Sequence, residues 1–494
     1  MPITEPAVEN CFAAIQEAEQ LADIIELRLD YFPADTLPKA IAELKTRITG
    51  IGKPLILTYR PREQGGMRDL SLADRLLFWR SLPQEIIQAI AFADFELDLA
   101  ESLAEDSPAP WSKVICSWHD IEGTPVNLFG IYDRIAATRA AVVKIASQAN
   151  RIGDCLRLFD LLERKSAVKP VIVLGMGMPG FMTRILALSR GALLTFGALR
   201  RGAESASGQP TIGELNDLYR AKEIKRDSEI YGVIGKPIGH SRSPSMHNAV
   251  LQTLGRNGVY LPFEVDSVEE FVRDFVRPAT RKIDWRLRGL SVTIPHKLAI
   301  IPSLDFVDVS ARRIGAVNTV SVEGERLLGY NTDAIGAMKP LNELVDVKGA
   351  RAAVIGAGGS ARAICYGLSE RGAEITVYAR DLQKAETLAA EFATRTGTIE
   401  GFNGRADLVF NCTPIGMRGH SEGQSPLRTE QLQGVKLVYD LIYNPEETML
   451  LRQAREAGCR TLGGLAMLVG QAAEQFRLWT GGEAPVDVMW RAVS

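Results

Sequence analysis

Short apolar runs alternate with amphipathic stretches through the first two fifths of the chain. The runs at 24–31, 54–60, 92–100, 113–120, 140–147, 170–177 and 192–199 are strand-like. Between them, 70–91 and 151–166 repeat apolar residues at helical spacing. Such alternation predicts an α/β unit around a parallel sheet. Seven strands followed by helices predict a (β/α)8 barrel with one strand uncounted. The uncounted strand belongs before Pro2, where there is almost no chain; either the start is truncated or another segment closes the barrel.

Residues 216–229 are mostly charged, without glycine or proline, and read as a helix extension that links two units. A new apolar strand begins at Ile230, and α/β alternation resumes. The run Ala352-Ala353-Val354-Ile355 leads straight into a glycine turn. No repeat or low-complexity stretch is visible.

The 494 residues allow about three domains at roughly 150 residues each. A 46% hydrophobic and 24% charged composition excludes a disordered, collagen-like or coiled-coil protein. The net charge of −3 gives no broad basic field, so neither nucleic acid nor an anionic membrane is an expected partner. Six cysteines without a CxxC, no HExxH and no EF-hand loop suggest no metal site and fit a reducing cytosol. The start, Met1-Pro2-Ile3-Thr4-Glu5, lacks a basic and apolar signal region, and no run reaches the ~20 apolar residues of a membrane helix. A cytoplasmic protein is the expectation.

Polar residues recur with period 2 where the first strands end: Glu26, Arg28 and Asp30; Thr58 and Arg60; Glu96 and Asp98; Ser117 and His119. In a barrel these positions converge on the C-terminal rim, where barrel active sites sit. Lys144 lies on the apolar strand Val142–Ala146. Burial of its charge favours the free amine, which can attack a ketone to give an imine. The alternative is a structural ion pair with Glu26 or Glu96. His119, one of five histidines, is suited to general acid–base work near neutral pH. Arg28, Arg60 and Arg184 suggest a carboxylate ligand, or else rim ion pairs.

The segments Glu26-Leu27-Arg28-Leu29-Asp30, Asp94-Phe95-Glu96-Leu97, Ser117-Trp118-His119-Asp120, Val143-Lys144-Ile145-Ala146 and Ser205-Ala206-Ser207-Gly208-Gln209-Pro210 resemble type I 3-dehydroquinate dehydratase, over about residues 2–215. The resemblance implies that Lys144 forms a Schiff base with the substrate's C3 ketone. It implies that His119 moves the proton to the departing C1 hydroxyl, with Glu96 orienting His119. Glu26, Arg28, Arg60, Arg184, Ser205 and Gln209 would hold the substrate. Ser207 stands where the family usually has proline, and Thr183 where it has serine. The family's first strand, normally just before Pro2-Ile3-Thr4, is absent.

In the second region, Gly356-Ala357-Gly358-Gly359-Ser360-Ala361 follows a strand and opens a helix, matching the dinucleotide-binding turn. The helix N-terminus would face the phosphates. The next strand ends in Arg380-Asp381. Arg380 favours the 2′-phosphate of NADP, and Asp381 leaves NAD open. Ser241 and Ser243, two apart, suit a polyol or carboxylate, although an N-cap role would account for Ser243 alone. Lys297 with Asp333 suits proton shuttling during hydride transfer; singly, each reads as a surface charge.

These segments, with Gly315-Ala316-Val317-Asn318-Thr319, Asn411-Cys412-Thr413-Pro414-Ile415-Gly416-Met417, Asp440-Leu441-Ile442-Tyr443-Asn444-Pro445 and Gly464 through Gln471, resemble shikimate dehydrogenase over about 229–494. The resemblance implies Lys297 and Asp333 as the catalytic pair. It implies Ser241, Ser243, Thr293, Asn318, Tyr443 and Gln471 at the substrate. Gly356, Ala357, Gly358, Gly359, Ser360, Ala361, Arg380, Thr413, Gly416 and Met417 would lie at the cofactor. Ser291 and Ala379 stand where that family usually has asparagine.

The two resemblances agree chemically, because the dehydratase product is the ketone that the dehydrogenase reduces. They imply a bifunctional enzyme acting on 3-dehydroquinate, 3-dehydroshikimate and shikimate with NADPH. The expected architecture is a barrel over 1–218, a substrate domain over 229–335 completed by 466–494, and a Rossmann-type NADP domain over 336–465. Two alternatives are a quinate/shikimate dehydrogenase using NAD and a non-catalytic regulator reusing these folds. The regulator reading is opposed by the presence of Lys144, His119, Lys297 and Asp333 and by the lack of a basic DNA-binding segment.

Overall fold

The computed structural model of the chain describes residues 1–419 and 421–494. Three sheets organise it. The first is a curled, wholly parallel sheet of seven strands in chain order: β1 (Pro2–Ile3), β2 (Ile25–Arg28), β3 (Leu55–Thr58), β4 (Phe92–Glu96), β5 (Val114–Asp120), β6 (Val142–Gln148) and β7 (Val171–Met176).

Two expectations about these strands need correcting. The first strand is not missing: Pro2 and Ile3 pair in parallel with Glu26 and Leu27. Residues 192–199, expected as a strand, form no regular one. That segment still runs beside β7, where the Leu193 N–H donates to the Val171 carbonyl (2.9 Å). Its Phe196 is buried with Ile56, Ile115, Val142 and Ile172 in the sheet's interior. An aromatic side chain thus fills the interior where no regular strand runs. Thr4 donates to the Ala203 carbonyl (3.4 Å), bringing the two edges together.

The second sheet has the order β11-β13-β12-β10-β8-β9. Its strands are β8 (Glu229–Gly235), β9 (Gly258–Glu264), β10 (Arg286–Val292), β11 (Phe306–Val307), β12 (Thr319–Glu323) and β13 (Arg326–Tyr330). The third contains β14 (Arg351–Ile355), β15 (Glu374–Tyr378), β16 (Arg395–Gly397), β17 (Leu408–Asn411), β18 (Leu437–Asp440) and β19 (Arg460–Gly463). It is wholly parallel, in the order β16-β15-β14-β17-β18-β19. The order reverses between β14 and β17, and α/β sheets bind ligands at the strand ends of such a switch point.

The helix Gly464–Thr480 joins the second and third sheets. Its Leu468, Val469, Ala472 and Phe476 pack with Tyr231 and Val233, while Met467 packs with Val354 and Phe410. It crosses the helix Asp333–Asn342 in close contact. A Cβ on Gly336 would lie 2.7 Å from the Gln471 nitrogen, and one on Gly470 would lie 3.0 Å from the Gly336 carbonyl oxygen. Only glycine at both points lets Asp333 and Gln471 come so near.

The first unit is not a loosely tethered bead. Phe159, Phe181, Ile185 and Tyr219 share one buried cluster with Ile234, Leu261, Phe263 and Val292 of the second sheet. Ala221 and Ile224, in the charged stretch expected to link the units, are buried in it too. Phe263→Ala should therefore cost ~3–5 kcal/mol. Scanning calorimetry is expected to show the unfolding of both halves moving down together. A shift confined to one of two separate transitions would contradict a shared core.

Candidate active sites

The first candidate site lies at the mouth of the curled sheet. Residues of alternate parity point inward, so Glu26, Thr58, Asp94, Glu96, Ser117, His119 and Lys144 meet there from five consecutive strands or their ends. Lys144 is 5% exposed. Its Nζ lies 2.8 Å from Asp94 Oδ2, 3.7 Å from Glu26 Oε1 and 4.6 Å from the centre of the Phe196 ring. Pairing with Glu26 was one expectation; the nearer partner is Asp94, whose role periodicity alone did not reveal.

Asp94 is the hub. It also meets Arg60 Nη2 at 2.8 Å and accepts from Ser117 Oγ at 2.5 Å. Burial by itself would raise its carboxyl, but the charges of Arg60 and Lys144 overcome that and hold it far below the carboxylate range. Glu26, accepting from Thr58 Oγ1 (2.7 Å), is likewise held low by Lys144 and Arg28 against the effect of burial.

His119 is placed differently from the expectation. Glu96 does not touch it; Glu96 lies 3.2 Å from Arg60 and 3.0 Å from Arg75. The His119 partner is Arg60, whose Nη1 lies 2.9 Å from Nδ1. A guanidinium only donates, so Nδ1 accepts and the ring proton sits on Nε2. Burial, Arg60 and Lys144 together push the imidazole well below its ordinary range, and it is neutral. The His119 backbone N–H donates to Gln64 Oε1 (3.2 Å), a residue for which sequence periodicity gave no signal. Glu96, fully desolvated and close to Asp94, is pushed up to about 7 despite Arg60 and Arg75.

The arginines divide into two kinds. Arg60 is consumed by Asp94, Glu96, Ser117 and His119, and Arg28 by a two-pronged contact with Asp30 (2.9 and 2.7 Å). Both were expected at the substrate, yet each already has its counter-charge. Arg184, on the short helix Phe181–Leu186, is 2% exposed and has no acidic partner among the described residues. Burial alone lowers it to about 10. Ser205 donates to Gln209 Oε1 (3.1 Å), while Gln209 Nε2 is buried without a partner among the described residues.

The second candidate site lies between the second and third sheets. Lys297 is ion-paired with Asp333 Oδ2. Asn318 Nδ2 donates to Asp333 Oδ1 (2.9 Å) and to Gln471 Oε1 (2.9 Å). Neither charge is the solvated surface group that it resembles when taken singly. Ser243 opens the helix Ser243–Thr253 and is buried; Arg242 holds the N-cap position, so capping does not account for the serine. Its N–H donates to Ser241 Oγ (3.3 Å). Thr293 follows β10 with its N–H on the Ile234 carbonyl (3.0 Å). Tyr443 is partly buried against the Tyr231 and Met246 core, and no side-chain hydrogen bond ties it to the others among the described residues.

The glycine turn adjoins this site. Gly356 has φ +110°, which only glycine adopts without strain, and its missing side chain makes room for Cys412 and Thr413. A Cβ on Gly358 would meet nothing within 4 Å, so the space before the helix Gly359–Ser369 is open. Ala357 and Ser360 complete the turn, and Ala361 is buried against the sheet. A Cβ on Gly359 would lie 3.5 Å from Lys297 Cδ, so the turn and the ion pair share one cleft. Gly416 (φ +103°) and the exposed Met417 lie in the loop after β17. Asp381 is occupied in capping the helix Leu382–Phe392 through the Lys384 N–H (3.2 Å), leaving Arg380 exposed. An open turn, a helix N-terminus and a free arginine fit a dinucleotide carrying an additional phosphate.

Comparison with known proteins finds relatives for both halves of the chain. The family described as Type I 3-dehydroquinase matches residues 1–226. The Shikimate dehydrogenase substrate binding domain matches 233–320, Shikimate / quinate 5-dehydrogenase 339–415, and the Shikimate 5'-dehydrogenase C-terminal domain 464–493. The chain is 36% identical over 520 residues to the chloroplastic bifunctional 3-dehydroquinate dehydratase/shikimate dehydrogenase of Arabidopsis thaliana, covering 100% of this chain and 83% of that protein. Its second part is 38% identical over 279 residues to the shikimate dehydrogenase (NADP(+)) of Methanococcus aeolicus, covering 55% of this chain and 98% of that one. A crystal structure of a shikimate dehydrogenase in complex with NADP+ superposes with a TM-score of 0.51 at 37% identity, over 55% of this chain and 96% of that chain. With similarity running through its whole length, the chain belongs to the family of bifunctional 3-dehydroquinate dehydratase/shikimate dehydrogenases.

Proposed function

We propose that the chain performs two consecutive reactions: dehydration of 3-dehydroquinate to 3-dehydroshikimate on a Schiff base at Lys144, then NADPH-dependent reduction of that ketone to shikimate. The observation that carries this reading is the buried Lys144 amine, sharing Asp94 and Arg60 with a neutral His119. In the first reaction the amine attacks the C3 carbonyl and the oxygen leaves as water. The imine then acts as an electron sink. Loss of the C2 proton gives an enamine across C2 and C3, and its electrons form the C1–C2 double bond as the protonated C1 hydroxyl departs as water. His119 carries the proton between these positions. Hydrolysis of the imine releases the product and restores the amine. Arg184 receives the substrate carboxylate, and Ser205 and Gln209 close over it.

In the second reaction NADPH, when bound, would supply a hydride. Gly356–Ala361 would hold its phosphates, and Arg380 would hold the 2′-phosphate. Lys297 gives a proton to the carbonyl oxygen being reduced, while Asp333 fixes the ammonium and Asn318 fixes Asp333. Ser241, Ser243, Thr293, Tyr443 and Gln471 hold the remaining oxygens. The units that do this work are assigned as 1–218, 229–335 with 466–494, and 336–465. A cytoplasmic setting is supported by six free cysteines. No helix among the described residues is long and apolar enough to cross a membrane.

Three outcomes test the site assignments. Lys144→Ala should abolish borohydride trapping of 3-dehydroquinate, read by mass spectrometry, while shikimate oxidation stays within about twofold because the sites are separate. Trapping that persisted would move the chemistry to another lysine. Arg184→Met should raise the dehydratase KM roughly 30- to 100-fold, the worth of a lost charge-assisted hydrogen bond, with a smaller change in kcat. Glu96, raised from 4.5 to about 7 in the folded state, binds its proton more tightly than in the unfolded chain. Its contribution to stability is present below pH 4.5 and is lost as pH rises to about 7. Urea midpoints should therefore fall across that window in the wild type and less so in Glu96→Gln; equal slopes would contradict the assignment.

A further inference from the structure

Behind the Lys297–Asp333 pair runs a set of buried polar groups that none of the roles above uses. Tyr260 on β9, Ser291 on β10 and Gln475 on the helix Gly464–Thr480 are 0%, 5% and 1% exposed. Tyr260 Oη donates to Ser291 Oγ (2.6 Å), and Ser291 Oγ donates to Gln475 Oε1 (2.8 Å). Gln475 Nε2 donates to the Asn318 carbonyl oxygen (3.2 Å) and to Thr319 Oγ1 (3.1 Å). Thr319 Oγ1 donates to Asn318 Oδ1 (2.7 Å), and Asn318 Nδ2 donates to Asp333 Oδ1 (2.9 Å).

The direction of every bond is fixed. A carbonyl oxygen only accepts, so Gln475 must turn Nε2 toward Asn318 and Oε1 toward Ser291. A backbone N–H only donates, and that of Thr332 meets Asn318 Oδ1 (2.8 Å), so Asn318 must turn Nδ2 toward Asp333. All donors therefore point the same way, and aligned hydrogen bonds polarise one another in a dry interior.

The far end is immobile. The Tyr260 backbone is gripped on both sides by Asn248, whose Oδ1 accepts from its N–H (2.8 Å) and whose Nδ2 donates to its carbonyl (2.9 Å). The Tyr260 ring stacks on His247, with centroids 4.4 Å apart and planes at 10°. His247 is neutral, since burial lowers it to about 3, so the stack carries no charge at working pH. Trp479 closes the cluster, with its indole N–H on the Val320 carbonyl (3.0 Å). Tyr260 also begins near Ser243, the opening residue of the helix that presents the serine pair.

We propose that Tyr260, Ser291 and Gln475 are positioning residues for the reductase. They form a one-way hydrogen-bonded strut that sets the Asn318 amide, and through it the Asp333 carboxylate and the Lys297 ammonium, at a fixed distance from the serine pair. The strut rests on the reading of the second half as a ketone reductase. It touches no reacting atom. Its effect is to keep the proton donor aimed at the carbonyl oxygen, a constraint felt in turnover more than in affinity. Gln475 is the essential span, because among the described residues it alone bridges the Ser291 hydroxyl and the Asn318 carbonyl.

The test uses the full-length chain with 3-dehydroshikimate and NADPH, and the dehydratase turnover of the same molecules reports folding. Gln475→Met, nearly isosteric, should lower reductase kcat about tenfold and change KM less than about threefold. Tyr260→Phe and Ser291→Ala should each lower kcat, and the double variant should be no slower than the slower single, since cutting one strut twice costs nothing more. An unchanged kcat in Gln475→Met overturns the proposal, and so do losses in the double variant that multiply. Should Gln475→Met lose dehydratase turnover as well, and so not fold, the Tyr260 and Ser291 series decides alone. A wild-type chain that fails to reduce the ketone would refute the reductase reading; an active wild type with indifferent variants would refute only the strut.

Discussion

The meeting of Asp94 with two cations, Lys144 and Arg60, is the contact on which the barrel site depends. Three charged groups buried this deeply would each be costly alone. Asp94 and Glu26, which lies 3.7 Å from Lys144, together offset the two cations, and Asp94 passes the constraint onward: Ser117 bonds it, and Arg60 reaches from it to His119 and Glu96. Removing one member of such a set leaves an unpaired buried charge, typically worth ~3–5 kcal/mol. The site is therefore rigid because its electrostatics allow one arrangement. The same balance makes Arg184 conspicuous, as a desolvated cation without an acidic partner among the described residues.

A different economy governs the second site. Neutral groups hold the Lys297–Asp333 pair: Asn318, Gln471, and behind them Gln475, Ser291 and Tyr260. Neutral hydrogen bonds fix direction without adding charge, which suits a site that must also receive a multiply anionic cofactor. Two helices supply the pieces, and they come close enough only because Gly336 and Gly470 meet where any side chain would collide. The two halves share a hydrophobic core beneath Phe181 and Tyr219. The helix that carries Arg184 thus leans on the sheet that carries Ser291. Packing joins the halves physically, and chemistry joins them because one half's product is the other's substrate.

Much of this was legible from the residues in order. Period-2 polar positions identified the inward face of β2 to β5, and the glycine turn with its strand and helix located the dinucleotide cleft, because both patterns are local consequences of backbone geometry. The importance of Asp94 comes from three partners, one just after β3 and the others on β5 and β6, and no spacing encodes that. Glu96 was given to His119 when Arg60 stands between them. For Arg28 and Arg60 the sequence leaves a ligand carboxylate and rim ion pairs both open, since it does not say that Asp30 and Asp94 already occupy them.

What the sequence determined by itself was therefore the inventory: the alternation of strands and helices, the two families it resembles, and most side chains at each mouth. Local periodicity and motif order carry that information, since each depends on residues close together in the chain. Pairing was decided only in three dimensions. Which arginine stays free, which nitrogen of His119 holds the proton, how Phe196 stands in for a regular strand, and how Tyr260 reaches Asp333 are all questions of distance between segments far apart in sequence. Charges and hydrogen bonds act over a few ångströms of space, and the folded chain alone sets those distances.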